Sequence, residues 1–192
     1  MSGLTAEKVL DVAQEMIQQR GYNGFSFREI AQAIGIKSAS IHYYFPSKGD
    51  LGVALVKRYR KAFAAELSAI TARHGAAQKR LKRFIELFRR TLTDDRLCLC
   101  GMLGAEKGVL PEEVNAEVRD FFALCEAWLV EVLKQGRQAG EIDYRGTPRV
   151  MADQLLALLE GAMVVARSLD DVARFDKAAG AFLRGLRPAA AA

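Results

Sequence analysis

Cysteine is scarce in this sequence of 192 residues, which contains three, an odd number. An odd and small count argues against a secreted scaffold held together by disulfides, and it fits a reducing compartment. No apolar run approaches the roughly 20 residues that a membrane-spanning helix needs, and the first residues lack the apolar stretch of a signal peptide. We therefore expect a cytoplasmic protein without a membrane anchor.

Alternating strand patterns are also missing, whereas helical periodicity recurs along the chain. The chain is long enough to bury a full core as one domain or two small ones. Its composition, with 51% hydrophobic and 27% charged residues, is that of an ordinary globular protein. These observations predict an all-α fold.

Two short helices around a glycine are predicted near the N-terminus. Ser26 and Glu29 have the Ser-x-x-Glu spacing of a capping box, which starts the first helix. Gly35 ends it, because glycine tolerates the left-handed cap conformation. Ser38 is placed to cap the second helix, and Pro46 prevents that helix from running on. This arrangement is typical of a helix-turn-helix.

The second of these helices has an unusual solvent face. Ile41 and Phe45, four residues apart, can face the core. The remaining side chains are Ser38, Ala39, Ser40, His42, Tyr43 and Tyr44. Hydroxyls and aromatics of this kind can reach phosphates, base edges and thymine methyls in a major groove. Ser47 and Asp50 then form another capping box, whose free amides beside Lys48 suit a DNA phosphate.

Positive charge is concentrated directly behind this stretch. Residues 51–100 contain 12 Lys and Arg against 4 Asp and Glu, a net charge of +8. Residues 1–50 are balanced at 5 and 5, and residues 101–192 contain 11 and 14. A solvated helix face is one explanation for such runs. We favour the other, a long-range positive field that draws the protein to DNA.

The stretch from Gly21 through Leu51 resembles the recognition segment of the TetR/AcrR family of transcriptional regulators. The resemblance lies in the glycine-started turn, the small residues, the Tyr-Tyr-Phe run and a Lys after a polar residue. It implies a three-helix DNA-binding helix-turn-helix domain over residues 1–47 and a larger helical effector-binding and dimerisation domain over 48–187. It implies neither an enzyme nor a cofactor. Residues 188–192 are expected to form a frayed tail.

The resemblance also implies a homodimeric regulator, most often a repressor, with one recognition helix per subunit in a major groove of a palindromic double-stranded operator. The last two helices, rich in Leu and small residues, are expected to form the dimer interface; the alternative is that they cap a monomer's core. The implied DNA contacts are Ser26, Arg28, Lys37, Ser38, Ala39, Ser40, His42, Tyr43, Tyr44 and Lys48. Of these, Lys48, Tyr44, His42 and Ser26 are expected to grip the backbone, and Arg28, Lys37, Ser38, Ser40 and Tyr43 to read bases.

The segment from Leu97 to Glu106 contains two of the three cysteines. They can be small apolar fillers of a buried helix. A Cys-x-Cys metal site lacks a further ligand at suitable spacing, and a Cys98–Cys100 disulfide would be strained in a helix. The segment also resembles a branch of the family in which a cysteine shortly before an Ala-Glu pair senses reactive electrophiles, and Cys98 occupies the matching position. Packing and sensing both stay open.

In the family, the larger domain usually encloses a ligand cavity, so the implied effector is a small molecule or an electrophile. The implied effector-binding or sensing residues are Cys98, Cys100, Met102, Phe121, Phe122, Cys125 and Trp128. Core packing is the competing explanation for each of them. Two other functions are alternatives: a helix-turn-helix interaction protein that ignores ligands, and a thiol oxidoreductase. The latter lacks a Cys-x-x-Cys on a βα unit.

Overall fold

The computed structural model of the protein describes residues 2–186, with side chains from residue 5 onward. Within that part of the chain there are nine α-helices and two short 3-10 turns, Tyr22–Gly24 and Lys107–Val109, and no β-strand. The α-helices are α1 (Ser2–Arg20), α2 (Phe27–Ile34), α3 (Ser38–Tyr44), α4 (Lys48–Arg73), α5 (Ala77–Thr93), α6 (Leu99–Ala105), α7 (Glu112–Gln138), α8 (Pro148–Ser168) and α9 (Val172–Gly185). The predicted all-α fold is confirmed. The tail expected at 188–192 lies outside the described residues.

Several predicted helix ends are confirmed in atomic detail. At the start of α2, Glu29 N donates to Ser26 Oγ at 3.3 Å, and Ser26 N donates to the Glu29 carboxylate at 2.8 Å. Gly35 ends α2 in the left-handed conformation, with φ of 75°. Thr147 before Pro148 predicts the start of a further helix, and Thr147 caps α8 by accepting from the Val150 amide at 3.2 Å. Each signal acts within one helical turn, so local spacing sufficed to find it.

Two predicted N-caps are wrong. The sequence predicts Thr5 as the N-cap of α1, but α1 begins at Ser2, so Thr5 lies inside the helix. The N-cap of α3 is Lys37, and Ser38 is already the first helical residue. The reason is that the Lys37 carbonyl accepts from Ser40 N at 2.9 Å, which closes the first turn one residue earlier than expected. The Ser38 hydroxyl is thereby left on the helix surface.

Residues Met1–Ala62 and Arg96–Phe121 form one compact unit. In it α1 packs against α2, α3 and α6. Val9, Ala13 and Ile17 on the buried side of α1 are inaccessible to solvent, as are Ile30 of α2 and Ile41 of α3. Burying each large aliphatic side chain contributes about 1.5–3 kcal/mol. A solvent-inaccessible apolar core shared by α1, α2 and α3 therefore fixes the position of α3.

Residues Phe63–Asp95 and Phe122–Ala192, as far as they are described, form the second unit. Here α5 packs against α8 and α9, and the last two helices pack against each other. The spacing i, i+3, i+4, i+7 predicts a buried stripe on α5, and its members are all buried: Leu81, Phe84, Ile85 and Phe88. Phe84 lies at its centre, with ring centroids 6.1 Å from Phe63 and 5.4 Å from Trp128. The assignment of separate functions to residues 1–47 and 48–187 stays a prediction.

No helix among the described residues has the length and apolar character needed to cross a membrane.

Phe84→Ala is expected to lower the free energy of unfolding by about 3–5 kcal/mol, because it leaves a cavity next to the rings of Phe63 and Trp128. Urea unfolding at fixed protein concentration, followed by circular dichroism, measures the change. Lys79→Ala, at an exposed position of the same helix, is the control and should change stability by less than about 0.5 kcal/mol. Equal effects of the two substitutions would contradict the assigned core.

Candidate nucleic-acid interface

Helix α3 has one buried side and one side open to solvent. Ile41 is inaccessible, and Phe45 just after the helix is buried, as predicted. Ala39 and His42 are exposed, and the Tyr43 side chain is 81% exposed. A large aromatic ring in this position adds nothing to the core, so its chemistry is available to a partner.

The aromatic residues of α3 are oriented by their neighbours. The rings of Tyr43 and Tyr44 meet edge to face with centroids 5.1 Å apart. The His42 ring lies 4.8 Å from that of Phe27, and its Nδ1 is 3.3 Å from the Pro46 carbonyl oxygen. Contacts from α2 and from the following turn thus restrict where these polar tips can point.

The start of α4 has the predicted capping box. Asp50 N donates to Ser47 Oγ at 3.1 Å, and the Asp50 carboxylate accepts from Ser47 N at 3.0 Å and from Ser47 Oγ at 2.6 Å. Because both partners come from one turn, the sequence spacing identified them. The box places the N-terminal end of a 26-residue helix, with its positive dipole, next to the end of α3.

Lys48 has a structural task that the sequence did not reveal. Its ammonium donates to the Phe25 carbonyl at 2.8 Å and lies 4.1 Å above the Phe25 ring and 4.8 Å above the Tyr22 ring. Burial lowers the pKa of Lys48, while the carboxylates of Glu106 and Glu29 act in the opposite direction. Lys48 therefore ties the start of α4 to the turn before α2. A contact with phosphate stays a prediction.

The other predicted contact residues lie at the ends and outer faces of the same helices. Ser26 is exposed but also donates to the Glu29 carboxylate at 2.9 Å, so its hydroxyl is shared with the cap. Arg28 and Lys37 are exposed, and Ser38 and Ser40 are half-buried. All ten predicted residues fall between residues 26 and 48, on α2, α3 and the start of α4 or at the N-caps of α2 and α3.

The predicted effector residues fall into the two compact units. Cys98, Cys100 and Phe121 belong to the first and are buried, whereas Met102 is half-buried. The Phe121 ring lies 5.4 Å from that of Tyr59. Packing accounts for these buried positions without a ligand. Their contact with an effector stays a prediction.

Phe122, Cys125 and Trp128 belong to the second unit. Phe122 and Trp128 are half-buried, and Trp128 Nε1 donates to Thr71 Oγ1 at 2.9 Å. Cys125 is inaccessible; burial raises the pKa of its thiol, and the Glu160 carboxylate adds to that rise. Since the thiolate is the reactive form, Cys125 is a poor nucleophile at neutral pH.

Gln18 and Glu106 make structural contacts that the sequence does not predict. Gln18 is 2% exposed, and its Nε2 donates to the Leu97 carbonyl at 2.9 Å. Glu106 accepts from the amide of Tyr22 at 2.6 Å. Partners 79 and 84 residues apart leave no spacing signal in a single sequence.

A helix-turn-helix with an open second helix, joined to a helical second unit, defines a DNA-binding transcriptional regulator. The family described as "Bacterial regulatory proteins, tetR family" matches residues 9–55, and "Tetracyclin repressor-like, C-terminal domain" matches residues 77–182. The chain belongs to the TetR family of bacterial transcriptional regulators, which are not enzymes.

Individual relatives agree with this assignment. Transcriptional regulator AcuR of Cereibacter sphaeroides is 25% identical over 170 residues, which cover 86% of this chain and 78% of AcuR. The HTH-type transcriptional repressor NemR of Escherichia coli K12 is 27% identical over 169 residues, covering 85% of this chain and 84% of NemR. A crystal structure of a TetR-family regulator from Agrobacterium tumefaciens is 34% identical with a TM-score of 0.94, covering 97% of this chain and 99% of that one.

Proposed function

We propose that the protein is a homodimeric repressor acting in the cytoplasm on a roughly palindromic operator, from which a small-molecule ligand or a thiol-reactive electrophile releases it. The observation that carries the proposal is the open face of α3, with Tyr43 81% exposed above a buried Ile41. Each subunit would place α3 in one major groove, with half-sites about one helical turn or somewhat more apart.

The roles of the ten contact residues follow from their chemistry. Lys48, Tyr44, His42 and Ser26 would hold phosphates, since an ammonium keeps two further N–H donors after bonding one carbonyl. Arg28 and Lys37 would read guanine edges, and Tyr43 with the Ser38 and Ser40 hydroxyls would contact other base edges. Ala39 would lie against a thymine methyl.

Dimerisation through α8 and α9 is supported by their outer surface. An apolar groove of about 320 Å³ lies there, lined by Ala157, Leu158, Gly161, Ala162, Val165, Arg174 and Ala178. Val150, Val164 and Val165 of α8 and its C-cap Leu169 are each about half exposed. Small residues allow helices to approach closely, and a two-fold axis would bring the same apolar surface of each subunit together.

Effector release is supported by the placement of the thiols. Cys98 is the N-cap of α6 and Cys100 lies in its first turn, both almost inaccessible. An adduct on either sulfur needs space that the packed state does not offer. Modification would therefore favour a conformer in which α6 is displaced over the packed conformer. Only such differential affinity can shift the equilibrium away from the DNA-binding state. A non-covalent ligand at Met102, Phe122 or Trp128 would act by the same rule.

Gel-shift binding to the DNA upstream of the protein's own gene, with and without N-ethylmaleimide, tests the proposal. The thiol loses its proton to water, and the sulfur bonds to one carbon of the alkene. The neighbouring carbon then takes a proton from water. Specific binding lost on treatment would support thiol sensing. Specific DNA binding that is unchanged by N-ethylmaleimide would support release by a non-covalent ligand instead.

Cys98→Ser is expected to keep operator binding after this treatment, because the serine hydroxyl does not add to the alkene. Cys125→Ser is the matched control and should lose binding as the wild type does, because the raised pKa of Cys125 already keeps that thiol protonated. Release of Cys98→Ser to the same extent as the wild type would contradict a sensing role for Cys98, and Cys100→Ser would then be measured in the same way.

A further inference from the structure

Hydrogen bonds fasten both ends of the α6 segment to the N-terminal helices within the first compact unit. Ahead of α6, Leu97 N donates to the Gln18 carbonyl at 3.1 Å, and Gln18 Nε2 donates back to the Leu97 carbonyl at 2.9 Å. At the other end, Glu106 is the C-cap of α6. The helix that contains Cys100 is therefore attached to α1 at one end and, through Glu106, to the Tyr22–Gly24 turn at the other.

Glu106 binds the turn that precedes the helix-turn-helix. Its carboxylate accepts from Tyr22 N at 2.6 Å, from Asn23 N at 3.4 Å and from Asn23 Nδ2 at 3.2 Å. Hydrogen bonds to an ionised acceptor are shorter and roughly twice as strong as neutral ones. One charged group thus holds three donors of a single turn.

The local backbone is built for the approach of this carboxylate. Gly21 has φ of 83° and ψ of 173°, a region that is essentially restricted to glycine. A Cβ at this position would overlap Glu106 Oε1. Both the conformation and the free space at Gly21 are therefore required for the bond between Glu106 and the turn.

The turn held by Glu106 leads directly into the DNA-binding helices. Two residues after Asn23 comes Phe25, whose carbonyl holds the Lys48 ammonium at the start of α4. Ser26, the N-cap of α2, follows. A displacement of the turn would therefore move the start of α2 and, through Lys48, its link to α4. Because α2 packs against α3, the recognition helix would move as well.

We propose that Glu106 is a positioning residue for operator recognition: its carboxylate holds the Tyr22–Gly24 turn where α2 and α3 fit the operator, and a shift of α6 reaches the recognition helix through this bond. The inference rests on the proposed binding of α3 to an operator. Glu106 is distant from the predicted DNA contacts in sequence and acts through the turn instead of touching the nucleic acid.

Glu106→Gln tests this role, because it keeps the size of the side chain but replaces one acceptor oxygen with an NH₂ group facing N–H donors. We expect the Kd for a duplex that carries the operator to rise about tenfold, which corresponds to roughly 1.4 kcal/mol. The Kd for a random duplex of equal length should change less than about twofold, since phosphate attraction does not depend on α3 placement. Glu113→Gln, an exposed carboxylate a few residues further on, should leave both unchanged.

A spectroscopic readout separates positioning from a general loss of structure. Amide ¹H–¹⁵N spectra without DNA should show the Tyr22 and Asn23 resonances moved in Glu106→Gln, with those of the α1 core at their wild-type positions. Glu106→Asp keeps the charge with a shorter reach, and it should recover part of the Tyr22 amide shift and the same part of the operator affinity.

Four outcomes would overturn the inference. Operator binding by Glu106→Gln equal to the wild type would do so, as would equal losses for operator and random duplexes. A core disrupted throughout the amide spectrum would show a structural role instead. A wild-type protein that does not prefer any duplex would contradict the proposed function and the inference together, which distinguishes that failure from the others.

Discussion

Val165→Glu is expected to convert the dimer to monomers and to weaken operator binding at least about 100-fold. Val165 is 49% exposed and lines the apolar groove of α8 and α9 with Gly161 and Ala162. In a two-fold interface the substitution occurs twice, so two carboxylates would lose their hydration near each other. Losing the second half-site contact removes the gain from bivalent binding, which reaches 10²–10⁴-fold. Sedimentation velocity and fluorescence anisotropy with an operator duplex measure the two effects.

Val109→Glu is the control for this experiment. Val109 is 61% exposed in the Lys107–Val109 turn, away from α8 and α9 in the sequence. The same valine-to-glutamate change there should leave the dimer intact. A Val165→Glu protein that stays dimeric would contradict the assigned interface. A monomer with full operator affinity would contradict the need for two half-sites.

Tyr43→Ala is expected to weaken operator binding about 10- to 100-fold while changing the affinity for random duplex little. The ring is 81% exposed, so its removal leaves the core untouched. A side chain that reads a base edge contributes about 1–3 kcal/mol of discrimination, which is the origin of the expected factor. Competition binding with operator and random duplexes at one salt concentration gives both affinities.

Two further variants sharpen this measurement. Tyr43→Phe keeps the ring and removes the hydroxyl, so it shows whether the hydroxyl or the aromatic face makes the contact. Lys48→Ala should, unlike Tyr43→Ala, also weaken binding to random duplex, because phosphate contacts do not depend on sequence. If Tyr43→Ala weakened operator and random duplexes equally, the base-reading role of Tyr43 would be wrong.

The parts of the fold that the sequence predicts correctly depend on neighbours within one turn or one stripe. The capping box of Ser26 and Glu29 and the buried stripe of α5 need no knowledge of the rest of the chain. The N-cap of α3 was misplaced by one residue. Its position depends on how the turn after Gly35 closes, where Ile36 N donates to the Ala31 carbonyl at 3.0 Å. Such a bond is not encoded by residue type alone.

The parts that the sequence does not predict depend on distant partners. The effector contact of Trp128 stays a prediction, whereas the bond from its indole to Thr71, 57 residues away, has no spacing signal in the sequence. Lys48 was expected at a phosphate, yet its ammonium also supports the Phe25 carbonyl. The family pattern supplies the type of residue at each position. It does not supply the second contact that tertiary packing adds to the same side chain.

The central claim, that two chains read a palindromic DNA site through α3, is tested most directly by selection from random-sequence duplexes, followed by the stoichiometry of the selected complex. The account predicts one enriched, nearly palindromic site with half-sites about one helical turn or somewhat more apart, bound by two chains. It also predicts that Tyr43→Ala fails to enrich that site. Binding without any enriched sequence, or a selected site bound by a single chain, would contradict it.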